Sequence, residues 1–252
     1  MTASSASTPA AATTPGGTAS SLPSAAGLAQ VGAGPGAAPL VGLSEDGTRL
    51  LRLRGQERDR LVSGASLLPP SVDAEGVVWT ADQTRPGGVV VTSGVAGDGR
   101  VDRLSPAWLA GRVVRAIDLS RAGDRIAVVS SAPDGSRRLD VAGIVRTPDR
   151  RPVRLTDALQ QGRSLTDVRD VAWADRSDLV VLAKAPGGVL RPFQVAVGGL
   201  TTAMPLVTSP RAVAAGDGMR AVYVVDGAGR LLTRSGSGWR VLGQARSVTV
   251  PT

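Results

Sequence analysis

The sequence predicts an all-β fold, a β-propeller of about five recognisable blades, and three observations predict it. A strand–turn–strand unit recurs along the chain, its copies are spaced like propeller blades, and no stretch sustains a helical period. LVGLSEDGTRLLRLRG, starting at Leu40, returns as SVDAEGVVWTAD from Ser71 and as AIDLSRAGDRIAVVSS from Ala116. It returns again as DVAWADRSDLVVLA from Asp170 and as AVAAGDGMRAVYVVDG from Ala212. Aligned on Gly47, Gly76, Gly123, Ser177 and Gly218, the copies carry apolar residues four positions earlier and three positions later. From Gly47 to Gly218 the step averages about 43 residues, the length of a four-stranded blade.

In chain order, residues 1–39 hold Ala, Ser, Thr, Gly and Pro with no charge and no aromatic. Such a segment buries too little apolar area to offset backbone entropy, so the sequence predicts a disordered linker there and a propeller domain over 40–252. In the third repeat, strands are predicted at Val113–Leu119, Arg125–Ser130, Arg138–Val145 and Pro152–Thr156. The last is an edge strand, where Pro152 costs no ladder bond and Arg150, Arg151 and Arg154 discourage pairing with other chains. Leu155 to Arg163 is the one stretch read as a helical turn. The fifth repeat contains the hairpin Val222–Val225, Asp226–Gly229, Arg230–Thr233. Ser247–Val250 is a further strand that would complete the first blade and close a ring whose amino end the repeats leave incomplete.

Composition excludes several chemistries. The 252 residues include no Cys and no His, so thiolate nucleophiles, disulfides, Ser–His–Asp triads and imidazole metal sites are ruled out. Acid–base work would fall to carboxylates, Tyr223 or the single lysine, Lys184. No catalytic residue, cofactor or metal site is predicted. Asp46, Asp98, Asp134, Asp217 and Asp226 stand beside turn glycines, where the side chain caps a backbone amide; calcium would need a denser run of oxygens. Trp79 and Trp173 fall in the repeated apolar columns and are predicted to pack between blades. Aromatics are 2% of the chain, too few for the stacking platforms of single-stranded nucleic acid binding, so no nucleic acid partner is expected. Glycine-rich stretches such as Gly94–Gly99 lack a phosphate-loop lysine.

The order of LLPPSVDAEGVVWTAD, VSSAPDGSRRLDVAGIVR, DVAWADRSDLVVLA and GRLLTRSGSGWRVLG resembles the carboxy-terminal propeller of the actinobacterial LpqB lipoprotein family. Trp79 after Pro69-Pro70, the step Ala172-Trp173-Ala174-Asp175 and the closing Gly238-Trp239-Arg240 carry most of the likeness, which runs from Leu40 to Gly243. The resemblance implies a protein held at the outer face of the plasma membrane by a lipidated cysteine, with a GerMN-type domain before the propeller and a role beside a membrane sensor histidine kinase. This sequence shows no signal peptide, no lipobox cysteine and no GerMN-like stretch, and its ARSVTVPT ending differs from the family's Pro/Tyr-rich one. A truncated or misassigned start is the expectation, with membrane association only through that missing anchor.

Two functions follow for test. In the first, the propeller is a non-catalytic interaction module of a cell-envelope lipoprotein that binds a protein partner, the extracytoplasmic domain of a sensor histidine kinase. Basic residues number 29 against 21 acidic ones, a net charge of +8 that would steer encounter with an acidic surface. The candidate partner-binding residues are Trp108 with Arg112 and Arg163 with Arg169, on loops between blades. The alternative is a carboxylate-dependent enzyme processing glycans or small molecules, with Asp118 and Asp170 as the inner-strand acids.

Overall fold

The computed structural model describes residues 28–32, 40–54, 57–92, 100–216 and 218–245. These form five antiparallel sheets in chain order, the arrangement of a five-bladed propeller. The first sheet is β1 (Leu28–Gly32), β2 (Leu40–Ser44), β3 (Arg49–Arg54) and β4 (Glu57–Ser63). The second is β5 (Ser71–Val72), β6 (Val78–Thr80), β7 (Val89–Thr92) and β8 (Val101–Leu104). The third is β9 (Val113–Leu119), β10 (Arg125–Ser131), β11 (Arg137–Arg146) and an outer strand in two pieces, β12 (Pro152–Leu155) and β13 (Leu159–Gln161). The fourth is β14 (Thr166–Trp173), β15 (Asp178–Lys184), β16 (Arg191–Ala196) and β17 (Thr201–Ala203). The fifth is β18 (Pro210–Gly216), β19 (Ala221–Asp226), β20 (Arg230–Ser235) and β21 (Gly238–Gln244).

Each sheet is a meander, so one edge of the molecule carries the sheet-to-sheet connections together with the turns between second and third strands. We call it the upper rim. The lower rim carries the first-to-second and third-to-fourth turns. Gly76, Gly123, Ser177 and Gly218 lie in lower-rim turns, whereas Gly47 lies between β2 and β3, in an upper-rim turn. The first repeat is thus one strand out of phase with the rest. An apolar–turn–apolar hairpin looks alike whichever two strands it joins, so spacing alone could not reveal the offset. The innermost strand of the first sheet is β1, which falls inside the segment read as a linker; the remainder of 1–39 lies outside the described residues. So do Ser247–Val250, Asp98, Asp217 and all of Gly94–Gly99.

Leu155 to Arg163 is extended rather than helical. After β12 the outer strand breaks at Thr156, whose hydroxyl accepts the Gly143 amide at 2.9 Å, and resumes as β13 against Leu139–Val141.

Four apolar clusters join the sheets pairwise, first to second through fourth to fifth. Among the described residues none joins the fifth sheet to the first. Trp79 is fully buried between the second and third sheets, and its indole N–H donates to Asp73 Oδ2 at 3.0 Å. Trp173 is buried between the third and fourth and donates to the Asp118 carbonyl at 3.2 Å. Both indoles combine a large buried face with a satisfied donor, which orients one sheet on the next.

Candidate interaction surface

The upper rim collects every residue that the sequence nominated for partner binding. Trp108 lies in the connection 105–112, within a short 3-10 turn at Ala107–Leu109. It is partly buried, packs on the core between the second and third sheets, and donates its indole N–H to the Thr156 carbonyl at 3.0 Å. Arg112 donates to Ser130 Oγ at 2.8 Å and to the Ser130 and Ser136 carbonyls at 3.1 and 3.4 Å, so its guanidinium braces the ends of β10 and β11. Arg163, in the connection 162–165, is exposed and has no partner among the described residues. Arg169 pairs with Asp167 at 2.8 Å. Structure therefore uses Trp108 and Arg112 as braces, and leaves Arg163 and Arg169 reachable from solvent.

Further arginines at this rim were not singled out from sequence. The register slips at the upper end of four inner strands, β1, β9, β14 and β18. In β9 the unpaired residue is Arg115, in β18 it is Arg211, and in β14 the irregular stretch is Asp167 to Arg169. A bulge turns an extra side chain out of the ladder and re-aims it. Arg115 reaches across to the second sheet, donating to Gln83 Oε1 at 3.2 Å. Arg211 is exposed and makes no ion pair or hydrogen bond among the described residues. Bulges leave no mark in the hydrophobic pattern, and only Pro210 at the strand start signals that the ladder is irregular there.

The charge balance at the third and fourth sheets is lopsided. Asp167 is approached by Arg169, Lys184 and Arg137 at 2.8, 3.2 and 3.6 Å. The Arg169 hydrogen bond holds its carboxyl below the ordinary range, so one anion is shared by three cations. Next to this group, a cleft of about 710 Å³ opens between the fourth and fifth sheets. Arg169, Arg211 and Arg230 line it together with Thr208, Ser209 and Leu190.

The inner-strand acids have structural partners. Asp118 accepts the Trp173 amide on Oδ2 at 2.7 Å and the Ser71 hydroxyl on Oδ1 at 3.3 Å, tying the second, third and fourth sheets. Asp170 accepts the Val213 amide on Oδ2 at 2.9 Å, tying the fourth to the fifth. Enclosure by the surrounding strands pushes the Asp118 carboxyl up to about 7 and that of Asp170 up to about 6, and the charge of Asp170 adds to the rise at Asp118. The turn aspartates behave as caps. Asp46 accepts the Thr48 amide and the Ser44 and Thr48 hydroxyls, which hold it down at about 2, the Ser44 bond contributing most. Asp134 accepts the Ser136 amide, and Asp226 those of Ala228 and Arg230. Among the described residues no acidic cluster is arranged to hold a metal ion, and no helix is long and apolar enough to cross a membrane.

Against known families, the model of the lipoprotein LpqB β-propeller domain matches residues 4–252. The chain belongs to the LpqB β-propeller family. A search of curated protein sequences finds no match. Among solved structures, this LpqB-type propeller superposes on TolB from Acinetobacter baumannii with a TM-score of 0.58 at 12% identity, over 85% of this chain and 52% of that one. It superposes on a Mycobacterium tuberculosis puromycin-hydrolyzing peptidase with a TM-score of 0.57 at 18% identity, over 84% of this chain and 37% of the other. The chain thus spans about half of TolB and little more than a third of the peptidase. At these identities the likeness is one of fold.

Proposed function

We propose that this LpqB-family propeller is a non-catalytic interaction module of a cell-envelope lipoprotein, and that it binds a membrane sensor histidine kinase through its upper rim. The observation that carries this reading is the group of cations at the upper rim around the third, fourth and fifth sheets. At the lower rim Arg146, Arg150 and Arg151 are consumed by Asp73, Glu75 and Asp102 of the neighbouring sheet. At the upper rim Arg163 and Arg211 stand without partners among the described residues, and three cations share Asp167. Arginine is common among interface hot spots because its planar fork pairs two-on-two with carboxylates. Family membership supports the envelope setting. The bonding of Asp118 and Asp170 to inter-sheet amides supports a structural role for the acids that a glycan-processing reading would need.

The test is direct binding of the purified extracytoplasmic domain of the kinase. Arg163→Glu combined with Arg169→Glu should weaken binding at least tenfold without changing the unfolding midpoint, and wild-type affinity should fall as salt rises. Binding indifferent to both salt and the double reversal would refute the assignment.

A further inference from the structure

The cleft between the fourth and fifth sheets combines cations, hydroxyls and an apolar border. Arg169 and Arg211 come from the irregular upper ends of adjacent inner strands, β14 and β18. Arg230 opens β20 on the third side. The one acid in the lining, Asp226, is buried and already neutralised, since it accepts Arg230 Nε at 2.7 Å as well as two backbone amides. Arg211 has no partner of its own among the described residues. Ser209, beside it, holds a left-handed backbone with φ of 49°. Its Cβ would lie 2.9 Å from a methyl group placed on Gly227, so the two loops meet where only glycine fits. That close approach fixes the loop carrying Thr208, Ser209 and Arg211 against the turn that carries Arg230. The cationic wall is therefore built on braced backbone rather than on loose loops.

The surroundings select among anions. Leu190 lines the cleft, and Val189 and Leu206, on the two loops that also supply Leu190 and Thr208, are 63% and 59% exposed. Inorganic phosphate or a nucleotide phosphate would use the arginines and leave these side chains in water. A peptide carrying both carboxylates and aliphatic side chains would use both. We infer that the cleft lined by Arg169, Arg211 and Arg230 seats an acidic, leucine-bearing segment of the partner protein, carboxylates against the guanidinium groups and aliphatic side chains against Val189, Leu190 and Leu206. This rests on the reading of the upper rim as the partner surface and narrows it to one cleft and one ligand chemistry.

The probe is a fluorescein-labelled hexapeptide of four glutamates and two leucines, followed by anisotropy with the full chain. Wild type should bind it, Arg211→Glu should weaken binding at least tenfold, and Arg211→Lys should recover part of the loss because charge returns without the fork. Arg121→Glu, an exposed lower-rim reversal of equal charge change, should have little effect. Replacing the peptide leucines by serine, or Leu206 by serine, should each weaken binding several-fold. Equal weakening by Arg121→Glu and Arg211→Glu would mean attraction to net charge and would overturn the inference. So would a serine peptide that binds as well as the leucine one, or its displacement by millimolar inorganic phosphate as readily as by unlabelled peptide, since the cleft would then be an anion site. Kinase-domain binding in the same variants separates this inference from the broader reading. If Arg163→Glu weakens that binding and Arg211→Glu does not, the upper rim holds the partner and the cleft does not.

Discussion

The junction of the second and third sheets and that of the fourth and fifth are built from the same strands and turns, yet they handle charge in opposite ways. At the first, Arg146 drives its guanidinium to Asp73, with 15% and 0% of the two side chains exposed, and also donates to the Gly123 carbonyl. Asp73 in turn receives the indole of Trp79 and the amides of Glu75 and Val77, so four donors converge on one buried carboxylate. At the second, the core leans on small residues, Ala172, Ala174 and Ala215 among them, and the cations gather at the rim beside an open cleft. The first junction commits Arg146 to a buried carboxylate, while the second pairs Arg169 and Arg230 with Asp167 and Asp226 and leaves Arg211 at the cleft without a partner among the described residues.

Cutting into the closed junction should have the largest effect. Trp79→Ala removes a fully buried indole and leaves Asp73 short of a donor, and should cost ~3–5 kcal/mol by denaturant unfolding. The same truncation at Trp173, between the third and fourth sheets, should fall in that range. An unchanged midpoint for either would place the indole outside the core. Asp73→Ala strands Arg146 and should cost about 3–5 kcal/mol, whereas breaking the outer pair Arg150–Glu75, with 70% and 32% exposure, should cost no more than ~1 kcal/mol.

The belt of inner-strand acids sets a pH dependence of intermediate size. Asp118 and Asp170 ionise at about 7 and 6 in the folded protein against an ordinary value of 3.8. Between pH ~4 and ~7 the folded state thus holds protons that the unfolded chain has released, so stability should fall as pH rises through that window and level off above it. The lowered carboxyls of Asp46 and Asp167 act the other way, contributing above the ordinary value and losing that contribution as pH falls further. Asp118→Asn, which keeps an acceptor for the Trp173 amide, should flatten the decline between pH 4 and 7. A thermal midpoint equally pH-dependent in wild type and variant would show that Asp118 is not the group responsible. The smallest effect on folding belongs to Arg211→Ala, expected to shift stability by less than ~0.5 kcal/mol because its exposed side chain makes no hydrogen bond or ion pair among the described residues.

Much of this architecture was legible in the residues. The third-sheet strands at Val113–Leu119 and Arg125–Ser131 follow from β-branched runs bounded by a turn at Gly123, whose φ of 66° suits glycine. The burial of Trp79 and Trp173 follows from their places in the apolar columns. The phase of the first repeat was not legible, because hairpins are interchangeable in pattern, and β1 lies in a stretch whose composition suggests no strand. Of the rim, Arg163 and Arg169 could be named from their position between blades. Arg211 and Arg115 could not, because a bulge depends on three-dimensional register and leaves no periodic trace. Nor could composition say that the Arg146, Arg150 and Arg151 run would be consumed by the adjoining sheet, since Asp73, Glu75 and Asp102 are remote in sequence.

The central claim is that charge is architectural at one junction and functional at the other. The most direct measurement compares Arg146→Ala and Arg211→Ala side by side for denaturant midpoint and for affinity toward the kinase extracytoplasmic domain. The account predicts a crossed pattern: Arg146→Ala loses several kcal/mol of stability and, while folded, binds as wild type, whereas Arg211→Ala keeps its midpoint and binds at least tenfold more weakly. If Arg211→Ala binds normally, or if the two variants lose stability and affinity in parallel, the division of labour between the junctions is wrong.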